Sequence, residues 1–283
     1  MSIGIAIGLH LGRTLNPAAA AETFGALAPD DVATPLVWLA AEDLVLNDDD
    51  PVSTWASSVG ALSAVGSLTE RPLYKTAIFP NGKPAVRWDS TNDIMSVTGL
   101  NLAPYSAVTI VLVTAAVAST AAAFTMLEYG ELYTGDPAGQ LHIGRLSGLT
   151  VAISSKNGAA GAVADFTTWG TSAVDRMLVT TFPRIITCTF DKSVQVKQGT
   201  AWINGVFGGG WAGSGTGRTN DNDSGSAFAA SQPLYIGARN ATGVPTQHIG
   251  MDLGCLLIYG RKLTQRELAR LHMWLDDQYD IYS

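Results

Sequence analysis

The chain has 283 residues, of which 47% are hydrophobic and only 14% are charged. Its formal net charge is -7. Binding of a phosphate backbone needs clustered Lys and Arg, which the sequence lacks, so the sequence disfavours nucleic acid and predicts no such partner. No apolar run reaches the roughly 20 residues that a membrane-spanning helix needs. The low charge and the 30 glycines favour strands and tight turns over long surface helices.

The first predicted element is an alternating strand at the N-terminus, followed by a stretch containing Pro, Ala and Asp. The aliphatic side chains of one face are Ile3, Ile5, Ile7, Leu9 and Leu11. Residues 1–33 are therefore interpreted as an arm and linker. The strand is either the first strand of its own domain or an assembly arm that adds to the sheet edge of a neighbouring protein.

Short strand-like runs then recur along the chain, separated by turn signals such as Asn81-Gly82 and Asn204-Gly205. The predicted strands are Leu36–Leu39, Ala85–Trp88, Val108–Thr114, Phe124–Tyr129, Leu141–Arg145, Leu149–Ser154, Ile185–Phe190, Val194–Ile203, Leu234–Ala238 and Leu253–Tyr259. No repeat with a period of about 20–50 residues is present, which argues against propellers and solenoids. The pattern predicts an all-β protein in which residues 34–283 form one two-sheet antiparallel sandwich.

One helix is well specified near the C-terminus. Thr264 can cap it, and Glu267 three residues later completes a capping box. Leu268, Leu271 and Leu275 fall on one stripe, which predicts a helix that packs against the sandwich and ends near residue 279.

The two cysteines, Cys188 and Cys255, each lie inside an apolar strand-like run. A buried reduced thiol behaves as a small hydrophobe. Two thiols far apart in sequence can also form one bridge, so both states stay open.

From residue 35 onward the chain resembles a known family. The opening segments are PLVWLAAEDL, DDDPVSTWASSVG and RPLYKTAIFPNGKPAVRWDSTNDIMSV, and the closing segment is IGMDLGCLLIYGRKLTQRELARLHMWLDDQY. Their succession resembles the laminin-G-like, concanavalin A-like jelly-roll modules of bacterial surface proteins and phage particles. The resemblance implies a jelly roll with a short C-terminal helix, in which Trp38, Trp55 and Trp88 supply apolar surface to a two-sheet core. It leaves the ligand open, because this fold hosts lectins, glucanases, lyases and assembly domains.

Catalytic constellations are absent from the sequence. Glycoside hydrolysis needs two carboxyl groups at a defined separation. The nearest pair is Glu128 and Glu131, and a spacing of three places them on opposite faces of a regular strand. A bend at Gly130 is the alternative that would bring them together. The four histidines stand singly, and there is no Gly-x-Ser-x-Gly elbow. The sequence predicts that the protein is not an enzyme, and a polysaccharide-degrading activity is the least favoured hypothesis.

The long loop from Gly208 to Ala227 offers candidate ligand-binding groups. Trp211, which has glycine neighbours, presents a flat apolar face for a sugar ring. Asn220, Asp221 and Asp223 supply oxygens, and the two carboxylates are a weak candidate calcium site because no Glu closes an EF-hand pattern. The alternative interpretation is a solvated hairpin loop.

Two functional hypotheses follow. The first is a non-catalytic virion protein, structural, decorating or attaching, that forms a homo-oligomer through its arm, with a trimer expected for a phage fibre or decoration protein. The second is a glycan-binding, lectin-like adhesion module that is secreted or carried on a bacterial surface. Calcium is the one cofactor for which the sequence offers ligands.

Overall fold

A computed structural model describes residues 25–118, 123–130, 139–147, 150–155, 166–169, 182–193, 199–210, 227–241 and 243–282. These residues form two eight-stranded sheets, a separate two-stranded hairpin and one long helix. The strand pairs of these ranges are antiparallel throughout. The prediction of an all-β sandwich with a C-terminal helix is confirmed.

The first sheet contains β1 (Val37–Ala40), β4 (Leu73–Lys75), β5 (Ala85–Asp89), β7 (Ala107–Ala118), β12 (Arg184–Asp191), β13 (Gly199–Ile203), β14 (Val206–Gly210) and β18 (Gly250–Tyr259). Their order is β14-β13-β12-β7-β18-β5-β4, and β1 pairs with the second half of β18. Asn204 and Gly205 both have positive φ, which gives β13 and β14 the tight turn predicted from the sequence.

The second sheet contains β2 (Thr54–Ala56), β3 (Ser63–Gly66), β6 (Met95–Val97), β8 (Phe124–Tyr129), β9 (Leu141–Ser147), β10 (Thr150–Ser155), β11 (Phe166–Trp169) and β15 (Leu234–Ile236). Their order is β11-β10-β9-β8-β15-β6-β3-β2. The separate hairpin consists of β16 (Arg239–Ala241) and β17 (Val244–Thr246). It follows β15 directly in the chain.

The helices are α1 (Pro29–Val32), a short 3-10 helix (Ala41–Asp43) and α2 (Gln265–Tyr279). The capping box of α2 is formed, since the Glu267 backbone N–H donates to Thr264 and the Glu267 side chain accepts from the Thr264 backbone. Leu268, Leu271 and Leu275 are buried against the first sheet, as predicted. Among the described residues, no helix combines the length and hydrophobicity needed to cross a bilayer.

The hydrophobic core has two layers, one between the sheets and one between the first sheet and α2. Trp55 and Trp88 are buried between the sheets, as expected. Trp38 differs from that expectation, because it packs in the second layer, edge to face with Trp274 at 6.1 Å between ring centroids. The alternation of β1 turns its side chain away from Val37 and Leu39, which face the other sheet.

The two cysteines are reduced and buried. Cys188 lies in the layer between the sheets, whereas Cys255 lies in the layer under α2. They occupy opposite faces of the same sheet, so a bridge between them is not part of this fold.

Residues 25–33 pack against the sandwich and α2. The Leu27 backbone N–H donates to the Arg270 carbonyl, and the Arg270 side chain donates to the Gly25 carbonyl at 2.7 Å. The Tyr259 hydroxyl donates to the Pro29 carbonyl. The predicted arm strand with Ile3, Ile5, Ile7, Leu9 and Leu11 lies outside the described residues.

Candidate functional site

A row of polar side chains crosses the second sheet on the face turned away from the core. Ser96 of β6, Tyr235 of β15, Glu128 of β8 and His142 of β9 are successive cross-strand partners. Their neighbours along each strand, such as Leu127, belong to the core between the sheets. Because side chains alternate along a strand, the polar row must face outward.

Glu128 lies at the centre of this row and is fully buried. One carboxylate oxygen is 3.4 Å from Nε of Arg239, and the other accepts the Asn240 backbone N–H at 3.2 Å. A buried carboxylate is tolerated only with such compensation. These contacts hold the β16–β17 hairpin against the outer face of the sheet.

Asn240 connects the hairpin to Tyr235. Its side-chain Nδ2 donates to the Tyr235 hydroxyl at 2.7 Å. Its Oδ1 is buried and has no hydrogen-bond partner among the described residues. A buried acceptor without a donor costs free energy, and such an atom in a native fold calls for a ligand, a water or an ion.

His142 lies beside the row in close packing. Its Nε2 is 3.1 Å from the Thr125 hydroxyl. A Cβ on Gly144 would come within 2.9 Å of the imidazole and 2.3 Å of the Phe124 carbonyl oxygen, so only glycine fits beneath the ring. Both side-chain amide atoms of Gln140 are buried and lack partners in the described parts of the chain.

A cavity of about 230 Å³, hereafter the Tyr235 pocket, opens beside the hairpin. Its polar lining consists of Ser67, Glu70, Ser96, Tyr235 and Asn240, and its apolar lining of Val65, Ile94, Met95 and Pro245. Val65 is half exposed. The pocket thus combines hydrogen-bonding groups with a small aliphatic wall, which is the general composition of small-ligand sites.

A second, larger cavity of about 550 Å³ lies between the β13–β14 turn and α2. It is lined by Trp202, Asn204, Gly205, Gln265, Leu268, Ala269, His272, Met273 and Tyr282. His272 is buried at its edge, and this burial lowers the pKa of His272 to about 4. The imidazole is hydrogen-bonded to Thr187, so it supports the fold.

The sequence-predicted ligand residues Trp211, Asn220, Asp221 and Asp223 lie outside the described residues, as does Glu131. Within the described ranges, no group of three or more His, Cys, Asp or Glu side chains could hold a metal ion.

Sequence reasoning considered Glu128 only as a catalytic candidate and did not identify Arg239, Asn240 or Tyr235. One signal was available. In FTMLEY a single acidic residue interrupts an otherwise apolar strand, and a buried carboxylate needs a basic partner elsewhere in the chain.

No protein-family model and no curated protein matches the chain. Solved structures do match it. The binding domain of botulinum neurotoxin DC in complex with SialylT is 10% identical with a TM-score of 0.57, and the alignment covers 86% of this chain and 52% of that one. A botulinum neurotoxin type C structure, described by the dependence of cell entry on two ganglioside molecules, is 10% identical with a TM-score of 0.55 and the same coverage.

A mutant of Trypanosoma rangeli sialidase displaying trans-sialidase activity is 14% identical, with a TM-score of 0.52. The alignment covers 87% of this chain and 33% of that one. This chain therefore spans about half the length of the neurotoxin chains and about a third of the sialidase chain. At these identities the likeness shows a shared β-sandwich fold.

Proposed function

We propose that the protein is a non-catalytic glycan-binding module whose site is the Tyr235 pocket. The observation that carries the proposal is the buried, unpartnered Oδ1 of Asn240 at a pocket that also holds Ser67, Glu70 and Ser96. Sugars present several hydroxyl donors on one rigid ring. Oδ1 is buried, so the Asn240 side chain would shift to admit a ring hydroxyl. The ring would then satisfy the orphaned acceptor and recover the free energy lost by leaving it unpaired.

The size and wall of the pocket fit this ligand class. Pockets that enclose drug-sized molecules have volumes of about 300–1,000 Å³. The Tyr235 pocket, at about 230 Å³, is smaller and suits one sugar ring of a longer oligosaccharide. The exposed Val65 and the half-buried Pro245 offer apolar surface to the C–H face of that ring. The rest of the glycan would lie outside the pocket.

The fold supports the same proposal by analogy. One neurotoxin neighbour was solved with SialylT, and another is described by an interaction with gangliosides. Fold likeness alone does not transfer a ligand, so the argument rests on the pocket.

Binding without hydrolysis is part of the proposal. Both oxygens of Glu128 are engaged by Arg239 and by the Asn240 backbone, so they are not directed at a glycosidic oxygen. General-acid catalysis needs a carboxyl within hydrogen-bond reach of that oxygen.

The test is a glycan array followed by titration of the strongest oligosaccharide. Asn240→Ala removes the orphaned acceptor and should weaken binding at least tenfold, or about 1.4 kcal/mol. Val244→Ala is the matched control, because Val244 is exposed on the same hairpin and does not line the pocket. Equal affinity of both variants would remove the Tyr235 pocket from consideration.

A virion or cell-surface setting is proposed for the whole protein, with a homo-oligomer assembled through the part of the N-terminal arm that precedes residue 25. The resemblance noted in the sequence and the alternating N-terminal strand support it. Mass spectrometry of purified particles or cell envelopes tests the setting. Trp211 stays a predicted second sugar contact, tested by titrating Trp211→Ala with the same oligosaccharide.

A further inference from the structure

The Tyr235 pocket carries negative charge, and no positively charged side chain lines it among the described residues. Glu70 contributes a carboxylate to the lining, and the described residues place no Lys or Arg there. The Ser67 hydroxyl donates to Glu70 Oε2 at 2.6 Å. The Glu70 backbone is fixed on both sides, since its N–H donates to Ser67 and its carbonyl accepts from Ile94. The negative charge is therefore held in place at the pocket.

The two arginines nearby do not line the pocket. Nε of Arg239 is 3.4 Å from the Glu128 carboxylate, and the Arg239 side chain is only 10% exposed. Its positive charge therefore compensates the buried Glu128. Arg71 follows Glu70 in sequence, but its stem packs against Gly66, which follows the buried Ala64 on the core side of β3. Neither guanidinium lines the pocket.

The hydrogen-bonding groups have a matching bias. Asn240 uses one of its two amide N–H donors on Tyr235 and its Oδ1 is an acceptor, and the Glu70 carboxylate is acceptor-only when ionised. The Ser96 and Tyr235 hydroxyls can donate or accept, so the two acceptor-only groups set the bias, which a ligand rich in donors complements. Sugar hydroxyls are such donors, whereas a ligand carboxylate is not.

We infer that the Tyr235 pocket selects neutral sugar rings and rejects rings that carry a carboxylate, such as sialic and uronic acids. This inference rests on the proposed glycan binding and adds its substrate class. A ligand carboxylate would face Glu70 without a balancing cation, and juxtaposed like charges are a direct means of rejecting a wrong ligand.

The experiment uses the full chain on an array in which each neutral oligosaccharide is printed beside its sialylated form. The strongest pair is then titrated in solution. We expect the neutral form to bind at least tenfold more tightly, a difference of about 1.4 kcal/mol. Glu70→Gln should reduce the neutral-to-sialylated affinity ratio by about tenfold. Asp277→Asn removes one exposed carboxylate from α2, far from the pocket in the fold, and should leave the ratio unchanged.

The outcomes separate this inference from the proposed function. Sialylated forms that bind as tightly as neutral ones, with binding lost in Asn240→Ala, would overturn the selectivity and leave the glycan site standing. An affinity ratio that Glu70→Gln leaves unchanged would also overturn the selectivity alone. An array without any bound glycan, or binding that is indifferent to Asn240→Ala, would overturn the proposed site and the selectivity together.

Discussion

His272 of α2 and Thr187 of β12 are hydrogen-bonded across the interface between helix and sheet, with 2.8 Å between Nε2 and Oγ1. The imidazole is almost completely buried, and desolvation lowers its pKa from 6.5 to about 4. Between these pH values the unfolded chain binds a proton that the folded chain does not. Stability should therefore fall as the pH falls from about 6.5 to 4, by up to about 3 kcal/mol from this residue.

The measurement is urea unfolding of the wild type and His272→Gln from pH 7.5 to pH 4. Asp93 titrates in the same range with the opposite sign, because burial raises its pKa to about 6 and the folded chain then takes up the proton first. Asp93 is present in both proteins, so the difference between them isolates His272. A difference that does not change with pH would contradict a neutral, buried imidazole.

The Glu128–Arg239 pair should stabilise the hairpin over the second sheet. Arg239→Ala leaves a fully buried carboxylate without its guanidinium, and breaking a buried pair in this way costs about 3–5 kcal/mol. Lys75→Ala is the comparison, because Lys75 pairs with the exposed Asp48 and Asp49 and surface pairs contribute about 0–1 kcal/mol. Equal losses of unfolding free energy in the two variants would contradict the prediction, because they would mean that water screens the Glu128–Arg239 pair as it screens a surface pair.

The C-terminal helix should matter for stability and not for glycan binding. Leu271 is fully buried on the face of α2 that packs against the first sheet, so Leu271→Ala should cost about 2–5 kcal/mol. Met273→Ala, on the exposed side of the same helix, should cost much less. Differential scanning calorimetry measures the loss, and oligosaccharide titration should give wild-type affinity for Leu271→Ala. An unchanged melting temperature would mean that the helix is loosely attached.

The N-terminal arm should serve assembly, and two truncations distinguish its parts. A chain that begins at Gly25 retains the contacts of residues 25–33 with α2 and should melt like the full chain. It should be a monomer, whereas we expect the full chain to form a homo-oligomer. A chain that begins at Thr34 also loses those contacts and should melt at a lower temperature. Light scattering and melting curves decide. Retention of the oligomeric mass by the Gly25 chain would end the assembly interpretation.

Calcium binding by Asp221 and Asp223 remains a prediction. If the ion binds only the folded chain, chelation should lower the melting temperature. The free energy of unfolding should fall by about 2.7 kcal/mol when the calcium concentration before chelation was a hundredfold its Kd. The double variant Asp221→Asn, Asp223→Asn should no longer respond to the chelator. The absence of a chelator effect in the wild type would favour the solvated hairpin loop.

Local patterns were enough to predict the long strands and the helix. β7, β8, β12 and β18 consist mostly of apolar residues, and Thr264 with Glu267 encodes its own capping box. The strands β2, β3, β4 and β6, of three or four residues each, were not predicted. Such segments are too short to show a period and become strands only because neighbouring strands supply their hydrogen bonds.

The functional face depended on tertiary structure. Glu128, Tyr235 and Asn240 are separated by up to 112 residues along the chain and meet through the order of strands in the second sheet. Nothing local distinguishes Tyr235 or Asn240 from an ordinary surface residue. Strand order depends on which pairings bury the most apolar surface in both sheets together. Local sequence patterns therefore determined the sandwich and its helix. The positions of the polar row and of the Tyr235 pocket were decided only by the packing of the two sheets.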